Sequence, residues 1–455
     1  MKRFAWRWLV ANSLLFIVLA ASAETRPQYG GTLHVTMRAA PTTLDPADSG
    51  QADSFAQRTL SSLLFDTLVV ADDSGHAMPA LAESWEALKG NERWVFRIRH
   101  GAMFHDGMPL TAEIAAASLR YANPSWTVTA ENDTLVIDCK TAEPELLAQL
   151  SLSRNSIVKR DSGAVDGTGP FSVVDWQAGK KLKLAAGENY WGGRPFLDAI
   201  EIEMGKDDRA QMTALGVGRA DLVEVAAEQS RRFSEEGSRL ATSAPMELLG
   251  LVFAREASSE DEKILREALG LSVERGSIRS VLLQGEGQAT GSLLPTWMTG
   301  YGFVFSAAAD VPRARQLQGQ VRTAANWKLG YDPRDTTARL LAERIALNAG
   351  DAGLSLQPSS SGSADVRLVR IPLASPDPWI ALEELTAQLG LSPSKNKSGS
   401  IDDLYEWERA ALETERVIPL FHLPVTYAAQ PRLENWKLRA DGRLELANAW
   451  LEAGP

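Results

Sequence analysis

The sequence predicts an α/β protein of two lobes built on mixed sheets, with a small extra subdomain in the first lobe and a hinge between the lobes. Three observations predict it. The first half alternates short strands, helices and turns in an α+β rhythm, whereas residues beyond about 243 follow a strand–helix–strand rhythm. The last strand-like run is followed by short polar stretches that return to the character of the first half. A chain of 455 residues with one cysteine, Cys139, has to be stabilised by burial alone, and its length divides into more than one core.

The first residues set the compartment. Lys2, Arg3 and Arg7 precede the apolar run Leu9–Ala20, which ends in Ala21-Ser22-Ala23, the pattern of a cleavable signal peptide over 1–23. That run has 12 residues, against about 20 for a membrane-spanning helix. The exported chain is expected to begin near Glu24, and Cys139 is too far from that point to carry a lipid anchor. Loss of Lys2, Arg3 and Arg7 moves the formal charge from −11 to −14, an acidic balance unsuited to nucleic acid.

Period-two alternation predicts strands at Thr32–Met37, Trp94–Arg99, Thr134–Asp138, Phe171–Trp176, Lys181–Ala185 and Ala199–Met204. Apolar residues at three- and four-residue spacing predict helices at Ser54–Phe65, Thr111–Tyr121 and Asp207–Val217. In the second half, strand Met246–Phe253 precedes helices Asp261–Leu271 and Gly276–Leu283. Strand Trp327–Tyr331, helix Thr336–Ala349 and strand Leu354–Gln357 fit one βαβ unit, followed by strand Val366–Ile371 and helix Trp379–Leu389. Ser359–Ser363 and Ser392–Ser400 read as surface loops. Strand Val417–Phe421 then leads back. The expected organisation is lobe I over 24–243, with its subdomain at about 49–160, lobe II over 244–423, and a return to lobe I over 424–455. Two crossings make a hinge, and ligand sites favour such interfaces.

A search for catalytic patterns finds none, so an enzyme is not expected, nor a cofactor. Gly167-Thr168-Gly169-Pro170 lacks the Lys and Ser/Thr that hold nucleotide phosphates, and there is no nucleophile elbow. Cys139 sits in a strand pattern, where an inert thiol is expected. His34, His76, His100, His105 and His422 show no i, i+4 pair, and His100 and His105 read as surface residues rather than metal ligands. Thirteen tryptophans exceed seven tyrosines; Trp297 and Trp379 are the candidates for lining a cleft, the others for filling cores.

Ordered blocks carry a family resemblance. They are Tyr29-Gly-Gly-Thr-Leu33, Leu44-Asp45-Pro46, Leu81–Trp85, Trp94–Gly101 and Phe104–Ala112. They continue as Gly167–Phe171, Asn189–Gly192, Pro195–Asp198, Gly218–Asp221, Ile264–Leu269 and the run from Gly285 to Pro295. Together they resemble the dipeptide/oligopeptide/nickel-binding type of ABC-transporter solute-binding proteins, family 5. Their own physics is structural: Asp106-Gly107 makes a turn, Gly167 and Gly169 allow unusual backbone angles, and Trp85, Trp94 and Trp191 fill a core.

The resemblance implies a two-lobed periplasmic binding protein of type II, large peptide-binding subclass, that closes on a peptide or peptide-like solute. It would deliver that solute to an ABC permease, acting as a monomer. The alternatives are a transporter-independent sensor or chaperone-like protein, and a receptor for a sugar or metal chelate. Peptide-binding members hold the ligand's ammonium with an aspartate four residues before a proline; here that position is Ala374, while Asp377 stands directly before Pro378. An asparagine common after the first lobe II strand is replaced by Ala254. Arg367 or Arg370 is placed to meet a carboxylate. The candidate ligand-binding residues are therefore Asp377, Trp379, Ala254, Trp297 and Arg370. The stretches at Tyr121–Trp126 and Val311–Asn326 are shorter than is usual in the family.

Overall fold

The computed structural model describes residues 26–452 apart from 49, 51–52, 162, 227–228, 230–232, 234, 236–237, 323–324 and 394–398. The expected signal peptide at 1–23 and the expected start near Glu24 lie outside the described residues.

Among the described residues, one large sheet of 11 strands runs through both lobes. At the lobe I end, Thr32–Thr36 lies parallel to Ala199–Glu203 and to Leu222–Val225, while Phe171–Gln177 and Lys181–Ala186 add antiparallel strands at the edge. At the lobe II end, Asn326–Gly330 is parallel to Ser355–Ser359 and to Val366–Pro372, the arrangement that the βαβ rhythm predicts. Two long antiparallel strands join the ends: Arg239–Phe253 and Val417–Ala429. Each is longer than the apolar runs Met246–Phe253 and Val417–Phe421 suggest, because pairing carries on through less apolar residues such as Arg239–Ser243.

The pairing of these two strands is irregular in the middle. Its register shifts between Thr242 and Glu247, and Pro245 faces Pro424 there. Proline has no backbone N–H to donate, so the ladder is interrupted where the chain passes between lobes.

Among the described residues, four apolar cores form around this frame. One gathers Leu33, Ile200 and Leu184 of the sheet with Leu60 and Leu64 of helix Phe55–Leu64. It also takes in Leu382, Leu385, Leu404 and Trp407 from helices Pro378–Gln388 and Ile401–Leu412, so these late helices share the core of the first sheet strands. A second core lies under helices Glu260–Ser272 and Thr336–Asp351. A third fills the subdomain between helix Ala112–Ala122 and a four-stranded antiparallel sheet of Ala82–Leu88, Arg93–Ile98, Thr134–Asp138 and Thr127–Glu131. The fourth is small and packs helix Asp208–Gly216 on Val223 and Val225. Each fully buried leucine or phenylalanine in them contributes about 1.5–3 kcal/mol relative to exposure.

Trp94 is buried in the subdomain core and Trp85 and Trp191 pack against it. Gly167 and Gly169 correct the sequence reading, because neither has a positive φ. They are needed for close approach instead. A Cβ at Gly167 would meet the Leu64 carbonyl oxygen at 1.9 Å, and the Gly169 N–H donates to that same oxygen at 3.0 Å. The pair clamps the subdomain exit onto the end of helix Phe55–Leu64.

Candidate functional site

An interlobe cavity of about 1070 Å³ is walled from both ends of the sheet. Its lobe I wall begins where strand Thr32–Thr36 ends. The Arg38 guanidinium donates to Asp208 at 2.6 Å, and the Arg38 backbone N–H points at the Glu224 carboxylate at 3.4 Å. Asp208 is held there by helix Asp208–Gly216, which starts because the Asp207 side chain accepts from the Ala210 N–H at 2.7 Å. Burial disfavours the Arg38 charge, but the carboxylates of Glu224 and Asp208 outweigh it and hold its pKa above the ordinary value.

The opposite wall is organised by Asp335. One of its oxygens accepts from the Thr337 and Ala338 N–H groups, each at 3.0 Å, and so caps helix Thr336–Asp351. The other accepts from Arg370 Nε at 3.1 Å. Arg370, on strand Val366–Pro372, also donates to Glu247 at 3.0 Å, and Glu247 stands on the long strand Arg239–Phe253. Two charged triads therefore face one cavity: Asp208–Arg38–Glu224 from one lobe and Glu247–Arg370–Asp335 from the other. Phe55, Met212 and Pro372 add apolar surface between the charged groups. Such a lining fixes polar groups of a solute by position, which is what pre-formed ligand clefts do.

A second cavity of about 590 Å³ touches the first through Asp53, which lines both. It lies where lobe I, the subdomain, helix Pro378–Gln388 and the C-terminal segment meet. Buried Arg58 anchors it: Nε donates to the two Asp53 oxygens at 3.1 and 3.0 Å, and a terminal nitrogen donates to the Asp441 carbonyl at 2.9 Å. Across this cavity Arg154 of the subdomain pairs with Glu384 of helix Pro378–Gln388. Ala374, Ser375 and Pro376 form part of the wall.

The candidate residues are not all brought together. Arg370 lines the large cavity, and Arg367 lines a neighbouring one of about 530 Å³. Asp377 caps helix Pro378–Gln388, accepting from the Trp379 and Ile380 N–H groups at 2.9 and 3.1 Å. Burial raises its pKa, with those two N–H groups acting the other way. It and Trp379 line a separate space of about 320 Å³ against the subdomain, and the Trp379 ring packs 6.1 Å from that of Trp407. Trp297 is 42% exposed and donates its Nε1 to the Pro245 carbonyl at 3.2 Å. Ala254 is exposed at the far end of the long strand, its N–H bound to the Asp365 carbonyl at 2.9 Å. Neither Ala254 nor Trp297 lines the two cavities that share Asp53.

Sequence reading missed Arg38, Asp53, Arg58, Asp208, Glu247 and Asp335. Asp335 alone carried a local signal, an acidic residue directly before the helix Thr336–Ala349. Elsewhere the chemistry is quiet. Cys139 is half-buried, and burial together with Glu143 and Asp138 pushes its thiol up to about 11, so it stays protonated. His100 is exposed, whereas His105 is largely buried beside Asp166. No cluster of three or more metal-ligating side chains occurs among the described residues.

Comparison with known proteins agrees with this geometry. The family described as bacterial extracellular solute-binding proteins, family 5 Middle, matches residues 76–364. The oligopeptide-binding protein AppA of Bacillus subtilis is 25% identical over 301 residues, 59% of this chain and 54% of that protein. The nickel-binding periplasmic protein of Escherichia coli is 26% identical over 347 residues, 69% of this chain and 65% of that protein. The matches thus span between half and two thirds of these relatives. Among solved structures, NikA from Staphylococcus aureus in complex with Ni(L-His)2 superposes with a TM-score of 0.81 at 16% identity, covering 92% of this chain and 100% of that one. The dipeptide-binding protein from Pseudoalteromonas sp. SM9913 in complex with Met-Leu gives 0.82 at 14% identity, covering 93% and 100%. These neighbours share the two-lobed fold. The family is one of periplasmic or extracellular solute-binding proteins, not of enzymes. With a match over well more than half its length, the chain belongs to the bacterial extracellular solute-binding proteins, family 5.

Proposed function

We propose that the chain is the exported solute-binding component of an ABC importer, and that it takes a peptide or peptide-like solute between its lobes and passes it to the permease. The observation that carries this reading is the cavity of about 1070 Å³ walled by one charged triad from each side of the two long strands. A solute that bridges Arg38 on one wall and Arg370 on the other favours the closed form by contacting both lobes, and closure is the state a permease would recognise. Relatives named for oligopeptides, dipeptides and nickel support a small cargo.

On this reading 1–23 is the export signal, 24–243 is lobe I with its subdomain at about 49–160, 244–423 is lobe II apart from helices Pro378–Gln388 and Ile401–Leu412, which pack into the lobe I core, and 424–455 rejoins lobe I, with the protein working as a periplasmic monomer. Residues Arg38, Arg370 and Asp53 carry the binding. A non-peptide solute such as a sugar or metal chelate is the second reading. It is favoured by Asp377, whose carboxylate is spent on starting a helix, and by Ala374, whose side chain has no charge to offer. Gentle isolation, denaturation and mass spectrometry of the released solute tests the choice. Short peptides are expected. A sugar or chelate would select the second reading, and a protein that releases nothing and binds no member of a peptide, sugar and chelate panel would refute both.

A further inference from the structure

We infer that Trp297 is a hinge latch: its indole N–H, carried on a strap anchored in the lobe I core, holds the Pro245 carbonyl at the crossing between the lobes and lets go when the hinge bends. This gives the residue a positioning role in lobe movement, whichever solute the cleft takes.

The strap starts in lobe II. Gln288 and Ala289 pair with His422 and Phe421 of the long strand Val417–Ala429, and the Thr290 N–H donates to the Leu420 carbonyl at 3.0 Å. From there the chain crosses to the other core. Leu293 and Leu294 are fully buried in the cluster that holds Leu33 and Leu60, and Met298, Tyr301 and Val304 pack against it. Polar contacts fix this segment from two sides. The buried Glu408 carboxylate, on helix Ile401–Leu412, accepts from the Leu293 and Leu294 N–H groups and from the Tyr301 hydroxyl. His422 Nε2 meets the Leu293 carbonyl from the long strand at 3.0 Å. Stripping three donors from a buried carboxylate is strongly unfavourable, so the strap is a rigid mount.

Trp297 stands at the outer end of that mount, on the short helix Thr296–Thr299, which Gly300 ends with a φ of 75°. Met298 and Tyr301 beside it are partly buried, but the Trp297 ring is exposed and turns its Nε1 to the Pro245 carbonyl at 3.2 Å. Pro424, the residue facing Pro245, has no N–H to give that carbonyl. Side chains supplement the ladder around this point. The Val425 N–H donates to the Ser243 hydroxyl at 3.0 Å, and Thr242 and Thr426 meet hydroxyl to hydroxyl at 3.1 Å. Bending turns the backbone over Thr242–Glu247 while the mount stays with its core, which carries Pro245 out of hydrogen-bonding range of Trp297. The bond is therefore made at one lobe angle and lost at another, and it weights the two arrangements.

The test is hydrogen exchange read by mass spectrometry on the full exported chain and on Trp297→Phe, which keeps an aromatic ring and loses the donor. Exchange at 242–247 and 423–426 is expected to speed up about three- to tenfold, the range of one hydrogen bond, with no change in the subdomain strands Arg93–Ile98 and Thr134–Asp138. Unaltered exchange at the crossing would show that the bond restrains nothing. Equal acceleration in the subdomain strands would show that the ring supports the fold as a whole, and either result overturns the inference. Trp297 lines neither of the two cavities that share Asp53, so the outcome is separate from the identity of the solute.

Discussion

Pro245 and Pro424 face each other across the two long strands, at the point where the strand register shifts and the chain passes from one lobe to the other. Neither can donate to the ladder, so the connection is softest where bending is needed. Replacing both with valine should restore donors and stiffen the crossing. Hydrogen exchange is expected to slow at 242–247 and 423–426 in that double variant; unchanged exchange would show that the bend lies elsewhere.

Asp335 does two jobs with its two oxygens, capping a helix and holding Arg370. Asp335→Ala loses both and should destabilise the protein by about 1–3 kcal/mol in urea unfolding. Asp335→Ser keeps a capping oxygen but not the charge. It should recover much of the stability and little of the solute affinity, so equal recovery of the two would contradict the dual role.

The Arg154–Glu384 pair bridges the subdomain and helix Pro378–Gln388 across the second cavity. It is partly exposed, so its worth is about 0.2–1 kcal/mol and falls with salt. Arg154→Glu sets like charges against each other and should lower stability in urea unfolding, and Arg154→Glu combined with Glu384→Arg should recover it. Equal loss in the single and the double variant would show that this pairing does not hold the subdomain to the helix.

His422 is fully buried on the long strand Val417–Ala429, with Nε2 against the Leu293 carbonyl at 3.0 Å. Burial pushes its pKa down to about 4 from an ordinary 6.5, with the Leu293 contact acting the other way. Its folded pKa is below its unfolded one, so the unfolded chain binds the proton first. This contribution is fully present above pH 6.5 and is lost as pH falls toward about 4, an effect on the order of 3 kcal/mol. A His422→Gln variant should lack that slope. If wild type and variant lose stability in parallel over this range, the assignment to His422 is wrong.

Much of the fold is legible in the sequence because its signals are local. Thr134–Asp138 alternates cleanly, and Thr111, Asp207 and Ser259 cap the helices that follow them. Strand Ala82–Leu88 escaped because Glu83, Ser84 and Glu86 leave it no clear apolar alternation. Helix Ile401–Leu412 escaped because Ser392–Ser400 drew attention to a loop ahead of it. The cleft was mostly illegible for a different reason. Arg370 could be noticed on its strand, but its partners Glu247 and Asp335 are 123 and 35 residues away, and only the folded sheet makes them neighbours. Asp377 shows the converse, since an acidic residue before Pro378 looked like a ligand anchor and is also the ordinary cap of a helix beginning with proline.

The most direct test of the central claim is small-angle scattering of the purified chain with and without the solute that co-purifies with it, repeated on Arg38→Ala and Arg370→Ala. Binding of one solute per chain should reduce the radius of gyration, and each substitution should weaken that response at least tenfold in solute concentration. A solute that binds wild type and both variants equally, with no change in radius, would contradict a site built between the lobes.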